Sequence, residues 1–559
     1  MALWLLSLAL ILLPAAVQAL WPLPRVWSQG QTTVELSGDF HFILTEDADP
    51  LLQKATQRYH NLILQEKFVN PVPDSWQQPG KTPSSETAAP ASSDKHTTES
   101  ITSVRVIVNT TQAGKYAIDS DESYQIDVPA TGSEATIRAK TVWGAIRSLE
   151  TFSQLVTYNK TSDSRVIRNA PWKIEDAPAY SHRGIMLDTS RNFFPVKDIL
   201  RVLDGMAYSK LNVFHWHIVD SHSFPFGSER YPELWQKGAY GEDMVYTRED
   251  VRTILEHANE RAIRVIPEID MPGHTYSVGL SHPDLVTCMD MLPNWDKYAA
   301  EPPSGQLNPL HNGTLDLIGG LVQEVSEWFP DNVVHLGGDE IQPNCWKENP
   351  TVMQYMNSSG IADFNGVLQH FFEKVTGVAR AAGKTPMTWE ETVVSHNLQL
   401  GDIVVQVWND PGYIKNITSR GLRVVASPHD YYYLDCGLGD FLGNQTDSVS
   451  WCDPYKTWQK VYSFDPRANL TEAEAKLVLG GEVAMWTELV DPSNLEVRLW
   501  PRSAAAGEVL WSNRQDQVTA LYRLHEHRFR MLSRGIQSTP LQPLWCARNP
   551  GHCNAPFPK

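Results

Sequence analysis

The sequence predicts an α/β protein, a (β/α)8 TIM-type barrel preceded by a small α+β domain. After about residue 178, eight short apolar runs recur over roughly 380 residues, each followed by a longer segment of helical period. No Gly-rich phosphate fingerprint follows the first run, which argues against the rival, an open doubly wound sheet. Hydrophobic residues make up 42% of the 559-residue chain and charged residues 20%. That is enough core material for two or three domains of ~100–200 residues each, one of them a barrel of ~250 residues or more.

In chain order, residues 3–13 are an apolar block, shorter than the ~20 residues that span a bilayer as a helix. Val17-Gln-Ala19 follows with small residues at the right spacing. Residues 1–19 read as a cleaved secretory signal, although no Lys or Arg precedes the block. The small domain, residues 20–175, begins with a helix over 49–68 that carries Leu51, Leu52, Ala55, Tyr59 and Leu62. From about 71 to 102 the chain turns to Pro, Ser, Thr and Ala, with little to bury, and reads as a linker or propeptide boundary. Val104, Ile107, Tyr124, Ile126, Val128 and Ile137 sit in short alternating segments that predict strands. Val142, Ala145, Ile146, Leu149 and Phe152 mark a helix over 141–156.

The barrel, residues 176–559, takes its strands from 184–187, 212–217, 264–267, 333–336, 386–389, 403–407, 422–426 and 478–484. Between them, Pro195 suits the first turn of a helix with Val196, Ile199, Leu203 and Met206 on one face. Thr247 and Asp250 form a capping-box pattern ahead of Val251, Ile254 and Ala258. Leu315, Ile318, Val322, Val325 and Phe329 make a third stripe.

Composition excludes several functions. Acidic residues outnumber basic ones 65 to 47, a net charge of −18, with no basic run to bind nucleic acid. No later stretch approaches membrane length. Seven Asn-X-Ser/Thr sequons, at Asn109, Asn159, Asn312, Asn357, Asn416, Asn444 and Asn469, fit a secreted or lysosomal glycoprotein. The six cysteines, Cys288, Cys345, Cys436, Cys452, Cys546 and Cys553, allow three disulfides. Cys436 with Cys452 and Cys546 with Cys553 read as local loops, leaving Cys288 with Cys345, out of 15 pairings that six cysteines permit.

Barrel active sites gather at the carboxyl ends of the strands. The polar residues assigned there are Arg183 and Asp188, Asp220, Asp270 and His274, Asp339 and Glu340, Trp389, Trp408, Tyr433 with Asp435, and Trp486 with Glu488. Carboxylates alternating with indoles suit a sugar, whose C–H face an indole covers while carboxylates accept its hydroxyls. Each feature also has a structural explanation. An Asp-Glu pair after a strand is often a solvated turn, and most of the 19 Trp belong to ordinary cores. Asp188 with Arg191 reads as well as a structural ion pair, and His335 reads as a hydrogen-bonded core histidine.

At this point a resemblance becomes specific. His335-Leu-Gly-Gly-Asp-Glu340 matches the signature of glycoside hydrolase family 20, the β-N-acetylhexosaminidases. Arg183-Gly-Ile-Met-Leu-Asp-Thr-Ser-Arg191, Lys210 to Asp220, Asp270-Met-Pro-Gly-His274 and Gly481 to Glu488 agree, as does the segment Val142 to Leu155. The likeness runs from about residue 100 onward and is similar to the eukaryotic lysosomal and fungal secreted branch.

The resemblance implies a retaining exo-glycosidase that removes terminal β-linked N-acetylglucosamine or N-acetylgalactosamine from glycans or chitin oligosaccharides, with no cofactor and no metal. Glu340 would be the general acid and then the base, while the substrate's own acetamide oxygen attacks C1 to give an oxazolinium ion. Family 20 is itself an exception to the two-carboxylate scheme. Asp339 would orient the acetamide N–H. By the same resemblance Arg183 clamps the 3- and 4-hydroxyls with Glu488, and Trp389, Trp408 and Trp486 wall the sugar pocket. Tyr433 bonds the acetamide oxygen, and Asp220 with His274 supports the acid. Asp435 matches the branches that favour neutral sugars. Homodimers are usual in the family. Two other readings compete: a catalytically inactive carbohydrate-binding relative, and a metal-dependent barrel hydrolase, since His215-X-His217 places two imidazoles on one strand face.

Overall fold

The computed structural model describes residues 20–72, 95–110, 112–443 and 445–554. The expected signal segment, residues 73–94 of the linker, and Asn444 lie outside them.

Six strands form the first sheet: β1 (Val26–Ile43), β2 (Lys95–Val108), β3 (Tyr124–Val128), β4 (Glu134–Ala139), β5 (Val156–Asn159) and β6 (Ser164–Asp176). Their order is β1-β2-β4-β3-β6-β5, with β1 also pairing to β6. The alternation in β3 and β4 was legible. Strand β1 was not, because VWSQGQTTVELSGDFHFI is polar and Gly-interrupted and shows no clean period of two. Strands β5 and β6 were missed as well. The helix Pro50–Gln65 is capped by Asp49, which accepts from Leu51 N. Every residue of the helix Val142–Leu155 is buried, which marks an element covered on all sides. Its sheet side joins the apolar core of the first domain. On the other side Arg147 donates to Arg261 O at 3.3 Å and also to Ala262 O, groups on the barrel.

Eight parallel strands then close a barrel: β7 (His182–Asp188), β8 (Val213–Val219), β9 (Arg264–Ile269), β12 (Val333–His335), β13 (Thr385–Trp389), β14 (Val404–Val407), β15 (Arg423–Ala426) and β16 (Val478–Met485). A short hairpin, β10 (Val286–Thr287) with β11 (Gln306–Leu307), interrupts the loop after β9. All eight barrel strands coincide with the predicted runs. The helix Arg248–Asn259 carries the Thr247/Asp250 capping box, and the helix Asn312–Trp328 buries Ile318, Val322 and Val325 of the expected stripe, with Leu315 half-buried and Phe329 just past its end.

The barrel is filled in layers. Val213, Val333 and Val404, the first residues of β8, β12 and β14, form an apolar plug with Ile266, Met387 and Val425. Above it sits a polar layer, His182, His215, Glu268, His335, Gln406 and Glu482, all fully or nearly fully buried. The residues at the strand ends lie above that layer. The three disulfides are Cys288–Cys345, Cys436–Cys452 and Cys546–Cys553. Among the described sequons, Asn109, Asn312, Asn357, Asn416 and Asn469 are exposed and Asn159 is half-buried. No described helix is long and apolar enough to cross a membrane.

Candidate active site

Asp339 and Glu340 stand on the loop that leaves β12. Gly337 (φ 66°) and Gly338 (φ 103°) turn the chain there, and Glu340 itself is held at φ 52°, a rare conformation for a residue with a side chain. A Cβ on Gly337 would meet Asp270 Oδ1 at 1.6 Å, so only glycine lets the loop pack this closely on the end of β9. The Glu340 side chain is one-third exposed and that of Asp339 is 9% exposed. His274 Nε2 lies 3.3 Å from Glu340 Oε2 and 3.7 Å from Asp339 Oδ2, and its Nδ1 lies 3.2 Å from Asp220 Oδ1. Burial works against the His274 cation, but the charges of Asp220 and Asp339 outweigh it and hold the pKa well above the usual imidazole range.

Asp220 is fixed in turn by His217, whose Nε2 lies 2.9 Å from Asp220 Oδ2 and whose Nδ1 lies 2.6 Å from Glu268 Oε2. Glu268 also accepts from Trp389 Nε1 at 2.9 Å. One buried carboxylate therefore steadies both the His217–Asp220 pair and the Trp389 indole. His215 sits between Glu482 (2.7 Å) and Glu268 (3.0 Å), and His335 lies 3.0 Å from Glu268. The His215-X-His217 pair behind the metal reading thus has each ring set between two carboxylates.

The remaining wall is aromatic. Trp408 Nε1 donates to Glu391 Oε2 at 2.8 Å, and its ring stacks on Tyr433 at 6.2 Å. Trp486 lies 6.2 Å from Trp389 and 6.3 Å from Tyr433. Beyond them, Trp451 is 65% exposed and meets Trp408 edge-on at 5.7 Å. Its loop is closed by Cys436–Cys452, which also anchors Asp435. Buried Asp339 Oδ1 and Asp435 Oδ1 have no hydrogen-bond partner among the described residues, as acceptors waiting for a ligand's donors would.

One assigned residue lies elsewhere. Arg183 is the second residue of β7, at the amino end of the barrel and facing the first domain. It donates to Lys210 O (2.9 Å), Tyr180 O (2.8 Å) and Glu122 Oε1 (2.8 Å) and packs over Trp511. The arginine at the carboxyl ends is Arg191. Its Nη1 lies 2.7 Å from Asp220 and 3.6 Å from Asp188, its Nε is 2.8 Å from Glu301 and 3.9 Å from Glu488, and its guanidinium covers Trp486 at 4.8 Å. Strand direction could have shown this, since Arg183 precedes the first barrel run and Arg191 follows it. Glu301 gave no such signal, because it lies in a Pro-rich loop and reaches the site only through the fold. Asp220, His274, Asp339, Glu340, Trp389, Trp408, Tyr433, Asp435, Trp486 and Glu488 are brought together, and Arg183 is not.

This pocket coincides with relationships along the chain. The family described as glycosyl hydrolase family 20, catalytic domain, matches residues 180–514, and a second, beta-acetyl hexosaminidase like, matches residues 20–155. A beta-hexosaminidase of Emericella nidulans is 35% identical, covering 95% of this chain and 94% of its own. Beta-hexosaminidase subunit beta of Felis catus is 37% identical with the same coverages. The X-ray structure of Flavobacterium johnsoniae chitobiase superposes with a TM-score of 0.75 at 27% identity, covering 93% of this chain and 73% of that one. With its barrel and its first domain both matched, the chain belongs to glycosyl hydrolase family 20.

Proposed function

We propose that the chain is a retaining exo-β-N-acetylhexosaminidase in which Glu340 protonates the leaving oxygen and then deprotonates the incoming water. The observation that carries this reading is the contrast between the two neighbours. Glu340 is the more open carboxylate, one-third exposed with His274 at 3.3 Å, whereas Asp339 is 9% exposed. Such a pair suits an acid that reaches the aglycone and an anion that meets the acetamide N–H. The acetamide oxygen, polarised by the Tyr433 hydroxyl, then attacks C1, so no enzyme nucleophile is required. Arg191, with Glu488 and Glu301 around it, replaces Arg183 as the clamp on the sugar hydroxyls.

Terminal N-acetylglucosamine and N-acetylgalactosamine on glycans or chitin oligosaccharides are the proposed substrates. Asp435, whose buried Oδ1 has no hydrogen-bond partner among the described residues, favours neutral sugars that can donate a hydroxyl to it. Arg at position 436, which accompanies acidic-substrate preference in related branches, is barred here because Cys436 is bonded to Cys452. We place the mature domain boundary near residue 175, a secreted or lysosomal location on the expected leader and sequons, and a homodimer by analogy with the family.

The test compares wild type with Glu340→Gln on a chromogenic β-N-acetylglucosaminide and on the matching β-glucoside. Turnover of the first alone, lost by on the order of 10²-fold or more in the variant, fits an acid working with acetamide participation. Equal cleavage of the glucoside would require an enzyme nucleophile and refute the mechanism. No cleavage of either by wild type would favour the inactive binding relative.

A further inference from the structure

Behind Asp339 lies a second carboxylate to which the mechanism gives no part. Asp270 is the residue after β9 and is 2% exposed. Its Oδ1 accepts the N–H of Gly338 at 3.2 Å, and its Oδ2, like Asp339 Oδ1, has no hydrogen-bond partner among the described residues. One carboxylate oxygen of Asp270, one of Asp339 and a ring nitrogen of His274 lie within 4.8 Å of one another. The Gly337-Gly338 turn forces this approach.

The charges that face Asp270 come from every neighbouring element. Glu268 precedes it on its own strand, His217 and Asp220 reach it from β8, and His274 follows on its own loop. Asp339 and Glu340 stand across from it on the β12 loop, and Glu391 beyond β13 adds its field to Asp339. The single cation of His274 is already shared among Asp220, Glu340 and Asp339, so it cannot offset a further anion on Asp270 as well. Two more anions side by side in so dry a place cannot both persist. Burial pushes Asp270 up to about 7. Burial and the Asp270 charge likewise hold Asp339 well above the ordinary carboxylate range. Asp339 borders the pocket, where a bound acetamide N–H would donate to it and favour its anion. Among the described residues, the one hydrogen bond Asp270 accepts is from the Gly338 N–H.

We propose that Asp270 is a positioning acid: it and Asp339 hold one proton between them, and the bound acetamide sets that proton on Asp270, leaving Asp339 as the single anion that orients the substrate. The proposal rests on the role given to Asp339 above. No proton leaves the pair during turnover. Its charge stays at minus one, on the member that touches the amide.

The test is the pH dependence of kcat and kcat/KM on the acetamido substrate for wild type, Asp270→Asn, Asp270→Ala and Asp339→Asn. Asparagine keeps an acceptor for Gly338 N–H and a donor towards Asp339, so it mimics the protonated acid. Alanine should lower kcat by on the order of 10²-fold, and asparagine should recover it to within about tenfold of wild type. The alkaline limb of kcat/KM should move up by about one pH unit or more in Asp270→Asn, because the group that loses its proton near neutrality is gone.

A folded Asp270→Asn as damaged as Asp270→Ala, or an active one with an unmoved alkaline limb, overturns the proposal. If Asp270→Ala is not recovered folded, Asp270→Asn against wild type decides by the same two readouts. Asp339→Asn as active as wild type would instead sink the reading of Asp339, which separates the two failures.

Discussion

Arg191 offers the sharpest test of how the pocket is built, because Arg183 is a natural control at the other end of the same strand. In Arg191→Lys the charge survives but the fork does not. One ammonium cannot replace Nη1 towards Asp220 at 2.7 Å together with Nε towards Glu301 at 2.8 Å and still meet a sugar hydroxyl. Hydrogen bonds to a charged group contribute about 1.5–3 kcal/mol each. In the proposed clamp the guanidinium donates to two sugar hydroxyls, and losing those two bonds at the lower value gives about 3 kcal/mol, which at ~1.4 kcal/mol per tenfold is a fall of roughly 10²-fold in kcat/KM. Arg183→Ala should leave kcat/KM of the folded fraction nearly unchanged. It leaves the buried Glu122 with Arg147 alone and frees the buried Lys210 and Tyr180 carbonyls, a loss of about 3–5 kcal/mol of stability. Steady-state kinetics on a chromogenic N-acetylglucosaminide, paired with thermal melts, separate the two. An Arg191→Lys enzyme within threefold of wild type, or an Arg183→Ala enzyme that melts normally but loses kcat/KM, would refute this assignment of the clamp.

Two other outcomes follow from the polar core and the rim. Burial alone would depress His215, but Glu482 and Glu268 push it up to about 9. Its folded pKa therefore exceeds the unfolded value of ~6.5, and its stabilisation is full below that value and is lost as pH rises through about 9. The wild-type melting temperature should fall between about pH 7 and about pH 9.5, and His215→Gln, less stable at pH 7, should lack that component. An identical slope in both would contradict the ion-paired layer. Replacing Cys436 and Cys452 together by Ser opens a loop of separation 16, worth about 3 kcal/mol by loop entropy. A lower melting temperature with a raised KM is expected, since Asp435 and Trp451 adjoin the bridge, and an unchanged melt would count against it.

Much of the fold was legible because barrel strands buried on both faces read as short continuous apolar runs, and all eight were placed that way. The helix over Arg248–Asn259 was legible for a local reason, a cap that needs only residues three apart. The first strand, Val26–Ile43, was not, because its partners β2 and β6 begin some 70 and 140 residues away and its own pattern is polar. In the site, Asp339, Glu340 and the indoles sit at strand ends inside recognisable motifs, so position in sequence implied position in space. Arg183 lies within such a motif too, but it precedes its strand's apolar run and therefore stands at the amino end of the barrel.

The sequence by itself determined which segments become strands and helices, that the chain belongs with sugar-cleaving barrels, and which carboxylate pair to examine. These follow from periodicity, caps and motif, which act over a few residues. Only the tertiary structure decided which arginine stands at the carboxyl ends of the strands, that Glu301 reaches it from a loop after β9, that Glu268 ties three histidines to Trp389, and that Asp270 stands behind Asp339. Each of these pairings joins residues from different strands or loops. Their energies depend on distance and burial, which closure of the barrel sets and local sequence does not encode.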